Sequence, residues 1–255
     1  MRTVKYECLR PDEILEEKKR KSIIYLPVGP LEWHGPALPL GTDPMAAHFV
    51  ACKLAEKAGG VVLPTLYAGT ERERTNKLLD LVGLKKNTYV VGMDFPKNSM
   101  KSMYFKEEYF SFVIRVQLDM LIEQGYKLIV IINGHGADNQ KAVLNRLSVE
   151  YTNETDSTVM NVFGVSLKGE DFNPVDFGHA TRLETSIQMF IDSDNVNLSK
   201  LPDKSIPIKM ADYGMMDSFD VEGSPNSERT VIGDPRMSSA EYGDRKSVVQ
   251  GKSVD

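Results

Sequence analysis

The stretch Leu128–Asn139, LIVIINGHGADN, sets five uncharged apolar residues ahead of a histidine that lies between two glycines. A short unbroken run of Leu, Ile and Val followed by turn residues is the pattern of a strand buried on both faces, as in a parallel sheet. Working outward, Ser22–Val28 (SIIYLPV), Val61–Leu66 (VVLPTL) and Thr158–Ser166 (TVMNVFGVS) have the same character. Stretches of helical period lie between them. Pro44–Ala58 follows a helix start at Asp43-Pro44 and stops at Gly59-Gly60. Phe105–Gln124 places Phe105, Tyr109, Val113, Val116 and Met120 on one face and closes at Gly125. Asp138–Tyr151 and Leu183–Ile191 read as two further helices. Alternating strands and helices predict an α/β fold, a three-layer αβα arrangement with a mostly parallel central sheet.

The whole chain of 255 residues is 41% hydrophobic and 26% charged, enough to bury a core and too apolar for a disordered segment. Lys and Arg number 31 against 36 Asp and Glu, a formal charge of -5, which argues against a nucleic-acid backbone as the main partner. The opening MRTVKYECLRPDE has no apolar run after its basic residues, and the longest apolar stretches are too short to cross a bilayer. The expectation is a soluble, cytoplasmic protein with no membrane partner. Cys8 and Cys52 lie far apart in sequence, so neither a disulfide framework nor a thiolate zinc site is expected.

Parallel α/β sheets collect chemistry at the carboxyl ends of their strands. Three such segments each contain a histidine, out of four in the chain. After the first strand, Gly29–Pro36 (GPLEWHGP) carries Glu32 and His34, two residues apart and so on one side of extended backbone, with Asp43 following at a helix start. The plainer reading makes Asp43 an N-cap and the other two solvated loop residues. After Leu128–Ile132 comes His135, whose flanking glycines allow close backbone approach, or which merely fills a turn. The third segment, Gly178–Ser186 (GHATRLETS), has His179 five residues before Glu184, which the helix dipole alone could favour. Imidazole and carboxylate together suit zinc, manganese or iron(II). His48, within the predicted helix after Asp43, reads as packing. Glu71–Arg74 (ERER) reads as a solvated loop that could rim the same site. HExxH, CxxC, GxGxxG and GxSxG are absent from the sequence, and Gly251-Lys252-Ser253 lacks the upstream glycine of a phosphate loop.

The strings PVGPLEWHGPALPLGTD, INGHGADN and HATRLETS, in that order and with Gly233-Asp234-Pro235 after them, resemble the signature of the creatininase (creatinine amidohydrolase) family. The resemblance implies an α/β metal hydrolase over residues 1–243 as a single domain, with two divalent ions, zinc first and manganese or iron(II) as alternatives. It implies that Asp43 bridges the ions, that Glu32 and His135 complete one site, and that His34 and Glu184 complete the other. His179 would be the catalytic acid/base. The implied reaction is hydrolysis of the C–N bond of a small cyclic amide or formamide by a metal-bridging hydroxide. The alternatives are C–C cleavage of a cyclic diketone, trimming of a small modified peptide, and a metal-stabilised protein without catalysis. Many members form hexamers, so a homo-oligomer is expected.

Departures from the family bear on substrate. Creatininase itself carries a glutamate two residues after the NGH histidine, where this chain has Ala137, and uses more than one tryptophan at its substrate, where this chain has only Trp33. Creatinine is therefore not the expected substrate. Trp33 and Asp138, the latter at a position that is usually asparagine, are the candidate substrate-binding residues. The region Glu71–Met103 departs from the family's common loop, and Asp244–Asp255 (DRKSVVQGKSVD) lacks helical period and is expected to be an irregular, truncated or non-native tail.

Overall fold

The computed structural model describes residues 3–164, 178–206, 208, 210–217 and 233–246. In chain order its elements are α1 (Pro11–Arg20), β1 (Ile23–Val28), α2 (Thr42–Ala58), β2 (Val61–Val62), α3 (Asn76–Leu81), α4 (Glu107–Glu123), β3 (Leu128–Asn133), α5 (Asp138–Glu154), β4 (Thr158–Phe163), β5 (Gly178–His179), α6 (Arg182–Ile191), β6 (Met216–Asp217) and α7 (Ala240–Lys246), with short 3-10 turns between some of them. The chain divides into two compact units. One comprises Met1–Leu31, Asp43–Glu71 and Met103–Gly164, the other Glu32–Thr42, Arg72–Ser102 and Val165–Asp255.

The first unit holds a four-stranded sheet in the order β2-β1-β3-β4, every pair parallel. Helices flank this sheet, giving the expected three-layer αβα class. Ile24, Leu26 and Val28 of β1 and Ile129 and Ile131 of β3 alternate onto one face, where they meet Phe110, Ile114 and Leu118 of α4 and Val143, Leu144 and Leu147 of α5. Each of these hydrocarbon side chains, fully buried, stabilises by about 1.5–3 kcal/mol relative to exposure. The buried side of α2 is Ala46, Ala47, Val50, Ala51 and Ala55, small enough for a close approach.

Three expectations need correction. The stretch Val61–Leu66 is a strand only at Val61–Val62. Pro64 has no N–H, so the ladder lapses after the Leu63 N–H to Tyr25 carbonyl bond and resumes only as a single bridge, Val28 to Leu66. In α4 the buried stripe is Phe110, Ile114, Leu118 and Leu121, while Tyr109, Val116 and Met120 are exposed. Both stripes recur at helical spacing, and the one taken into the core is purely hydrocarbon, whereas the other carries the Tyr109 hydroxyl. Finally, α7 runs through Asp244 to Lys246, into the stretch expected to be irregular; residues 247–255 lie outside the described residues, as do 165–177, which include the end of the predicted strand Thr158–Ser166. The reason for α7 is its seat on α6. Arg182 stacks over Tyr242 at 4.3 Å, and an added Cβ at Gly243 would lie 1.9 Å from the Ser186 carbonyl oxygen.

The turn after α2 is anchored by Glu17 of α1. Its carboxylate is buried, accepts the Gly60 N–H at 2.6 Å and pairs with Arg20. Burial by itself raises the Glu17 carboxyl, but the Arg20 guanidinium and the Gly60 N–H more than offset it and hold it below its ordinary value. A carboxyl lowered on folding stabilises above its unfolded pKa and loses that contribution as pH falls through the folded value. Glu17→Gln should therefore destabilise the protein at pH 7, and by less at pH 3. Denaturant unfolding of both proteins at the two pH values checks this, and an equal deficit at both would refute it.

Candidate metal centre

In the second unit the chain after β1 folds back on itself, with the Glu32 N–H bonded to the Leu40 carbonyl at 2.9 Å. Glu32 and His34 are buried, each 1% exposed. The His34 Nδ1 lies 3.0 Å from the Glu32 carbonyl oxygen, which only accepts, so Nδ1 carries the proton and Nε2 turns toward Glu184 Oε2 at 3.8 Å. Metal-binding histidines are oriented in this way, one ring N–H fixed on a carbonyl and the other nitrogen presented to the ion.

His179, in β5, stacks near His34 with ring centroids 4.1 Å apart. Its Nε2 donates to the Trp33 carbonyl at 2.5 Å, so Nδ1 is the atom that faces Glu32 Oε1 at 3.9 Å. Glu184 lies in the first turn of α6, where its Oε2 accepts the Ala180 N–H at 2.6 Å. Ala180 sits at φ 56°, a left-handed conformation uncommon for a residue with a side chain and often found where a site constrains the backbone. That residue has no signal in the sequence. Glu32, His34 and His179 offer ligand atoms that all lie within 4.8 Å of one another. This donor set of carboxylate and imidazole, buried at Glu32 and His34 and half-buried at His179, fits a divalent ion of the zinc, manganese or iron(II) kind.

In the first unit Asp43 lies in the first turn of α2, and His135 follows β3 by two residues. Both are 4% exposed, and His135 Nδ1 approaches Asp43 Oδ2 to 2.8 Å, close to the spacing of two ligands on one ion. α2 begins at Thr42, so Asp43 stands inside its first turn and is not the N-cap. Gly134 is required here, since a Cβ on it would stand 2.1 Å from the Asp43 carbonyl oxygen. The ring of Tyr104, just past the divergent region Glu71–Met103, lies 6.2 Å from that of His135.

The Trp33 indole N–H donates to the Tyr213 carbonyl at 2.7 Å and the ring is buried. Asp138, in the first turn of α5, is exposed and pairs with Lys141 at 2.8 Å. His48 bonds Thr65 Oγ1 at 3.1 Å and approaches Cys52 Sγ at 3.4 Å; burial lowers its pKa, in keeping with packing. Arg74 of the ERER run donates its Nε–H to the Gly92 carbonyl at 2.7 Å, which ties two loop segments together.

A parallel α/β sheet with histidine and carboxylate clusters at its strand ends is an arrangement that can hold a divalent ion, and comparison with known proteins gives the family. The creatininase family model, described as creatinine amidohydrolase, matches residues 8–248, and the chain belongs to that family. Among solved structures, a Bacteroides fragilis protein described as a creatinine amidohydrolase is 23% identical, with a TM-score of 0.62 over 96% of this chain and 90% of that one. A manganese form of creatininase is 19% identical, with a TM-score of 0.62 over 95% and 92%. A creatininase variant of Zn-Zn type is 18% identical, with a TM-score of 0.61 over 96% and 93%. No curated protein matches the sequence significantly.

Proposed function

We propose that the protein is a dinuclear metal-dependent amidohydrolase that hydrolyses the C–N bond of a small cyclic amide or formamide. The observation that carries this reading is the cluster of buried Glu32 and His34 with half-buried His179, in which the His34 tautomer leaves Nε2 unprotonated for coordination. By the family motif, the residues that would hold two divalent ions are Asp43, common to both, with Glu32 and His135 for one and His34 and Glu184 for the other. Zinc is the first choice, with manganese or iron(II) as alternatives. Ions held there would polarise a carbonyl and bring the pKa of water down to near neutral, the chemistry that supplies a nucleophile at about pH 7. His179, outside that ligand set, would take up at Nδ1 the proton released by the attacking water and pass it to the departing nitrogen, while the Trp33 carbonyl accepts from its Nε2–H. Trp33 and Asp138 remain candidate substrate contacts, and residues 1–243 act as one hydrolase domain. The same reading makes the protein a cytoplasmic homo-oligomer, hexameric by family resemblance, that acts on a small molecule.

The test is metal content per chain, by elemental analysis of protein purified without chelator, for the parent and for Asp43→Ala. The expected result is about two ions in the parent and loss of most of both in the variant. A parent near zero after incubation with zinc and with manganese would end the reading.

A further inference from the structure

We infer that Gln140 is a positioning residue for metal binding at His135, acting through Asn133 and without touching the ion. The inference rests on the reading of His135 and Asp43 as ligands. His135 stands in a turn flanked by Gly134 and Gly136, and glycine gives a backbone freedom rather than rigidity. What fixes its direction must come from neighbouring groups. The His135 N–H donates to Asn133 Oδ1 at 3.0 Å, and the same oxygen accepts a second bond, from Gln140 Nε2, at 2.8 Å. The Gln140 Oε1 accepts the Thr70 backbone N–H at 2.9 Å.

That last bond settles which way the Gln140 amide faces. A backbone N–H can only donate, so Oε1 must be on the Thr70 side and the donor must point to Asn133. The side chain has little room for another course, since a Cβ on Gly69 would be 2.8 Å from Gln140 Oε1. Asn133, Gln140 and Thr70 are all at most 1% exposed. Buried networks of this kind are rigid when complete and costly when broken, because each abandoned partner stays away from water. Gln140 thus ties the His135 turn to the segment at Thr70, and its loss should let the turn shift relative to Asp43. Thr70 provides an internal control. Its hydroxyl accepts from Asn139 Nδ2 at 3.2 Å and takes no part in the bond to Gln140, which uses the main chain.

The experiment measures zinc affinity by competition with a chromophoric chelator, well below the unfolding temperature, on the parent, Gln140→Met and Thr70→Ala. Gln140→Met should weaken zinc binding about 10–100-fold, the usual effect of removing a group that orients a metal ligand, while Thr70→Ala stays near the parent. If Gln140→Met does not fold, Gln140→Glu carries the same expectation, since it keeps the shape and the acceptor for Thr70 but loses the donor to Asn133. Parental affinity in the Gln140 variant would overturn the proposal. So would equal weakening in Gln140→Met and Thr70→Ala, which would mark general loosening of the core. A parent that binds no zinc would instead overturn the underlying metal reading, a result distinct from both.

Discussion

His179→Ala is expected to lower turnover on a C–N substrate by about 10²–10⁴-fold, the range for removing a positioned acid or base, while metal content stays at the parental level. The Trp33 carbonyl accepts from His179 Nε2, so the neutral ring can take up a proton only at Nδ1 and give it back from there, and Nδ1 is the atom that faces Glu32. His179→Gln sharpens the test. A glutamine amide can keep an N–H on the Trp33 carbonyl but has no basic nitrogen, so it should preserve the local structure and lose as much turnover as alanine. Steady-state kinetics with parallel metal analysis separates the roles. Parental turnover in both variants would remove His179 from the mechanism. Loss of metal in proportion to activity would make it a ligand, which its place beside Glu32 and His34 also allows.

The parallel sheet and the three histidine segments were legible because their signals are local. LIVII reads as a buried strand from its own composition, and GPLEWHGP and GHATRLETS each carry their donors within a few residues. Where the sequence misled, the deciding contact came from elsewhere in the chain. Pro64 breaks the ladder because of what β1 offers opposite it, and α4 had two apolar stripes of equal period until the sheet selected Phe110, Ile114 and Leu118. Asp244–Lys246 has no apolar period, and α7 forms because Tyr242 and Gly243 find α6. The left-handed backbone of Ala180 was invisible for a related reason. Alanine has no intrinsic preference for φ 56°, so only the surrounding structure can impose it.

Arg236→Met should be among the most destabilising single substitutions in the second unit. Arg236 is 6% exposed, and its guanidinium is fully engaged. Nε and Nη2 donate to the Asp234 carboxylate at 2.9 and 2.6 Å, and Nη1 donates to the carbonyls of Pro202, Asp203 and Ile206 at 3.2, 2.8 and 2.9 Å. Methionine fills much of the volume but leaves the buried Asp234 charge and three carbonyls without these donors. Breaking a buried pair by removing one member costs about 3–5 kcal/mol, and at about 2–4 °C per kcal/mol for a chain of this size the melting temperature should fall by roughly 6–20 °C. Lysine is a poor substitute, because a point charge cannot reproduce the planar fork. The double variant Asp234→Asn with Arg236→Met removes the stranded charge and should recover part of the loss. A single variant that melts within about 2 °C of the parent would show the pair to be dispensable. The effect should also reach the metal centre, since the Gly233 carbonyl accepts the Arg182 N–H at 3.0 Å and Ser238 Oγ donates to the Arg182 carbonyl at 3.2 Å. These bonds hold the first turn of α6, which carries Glu184, so amide exchange there should accelerate in Arg236→Met before the sheet of the first unit responds.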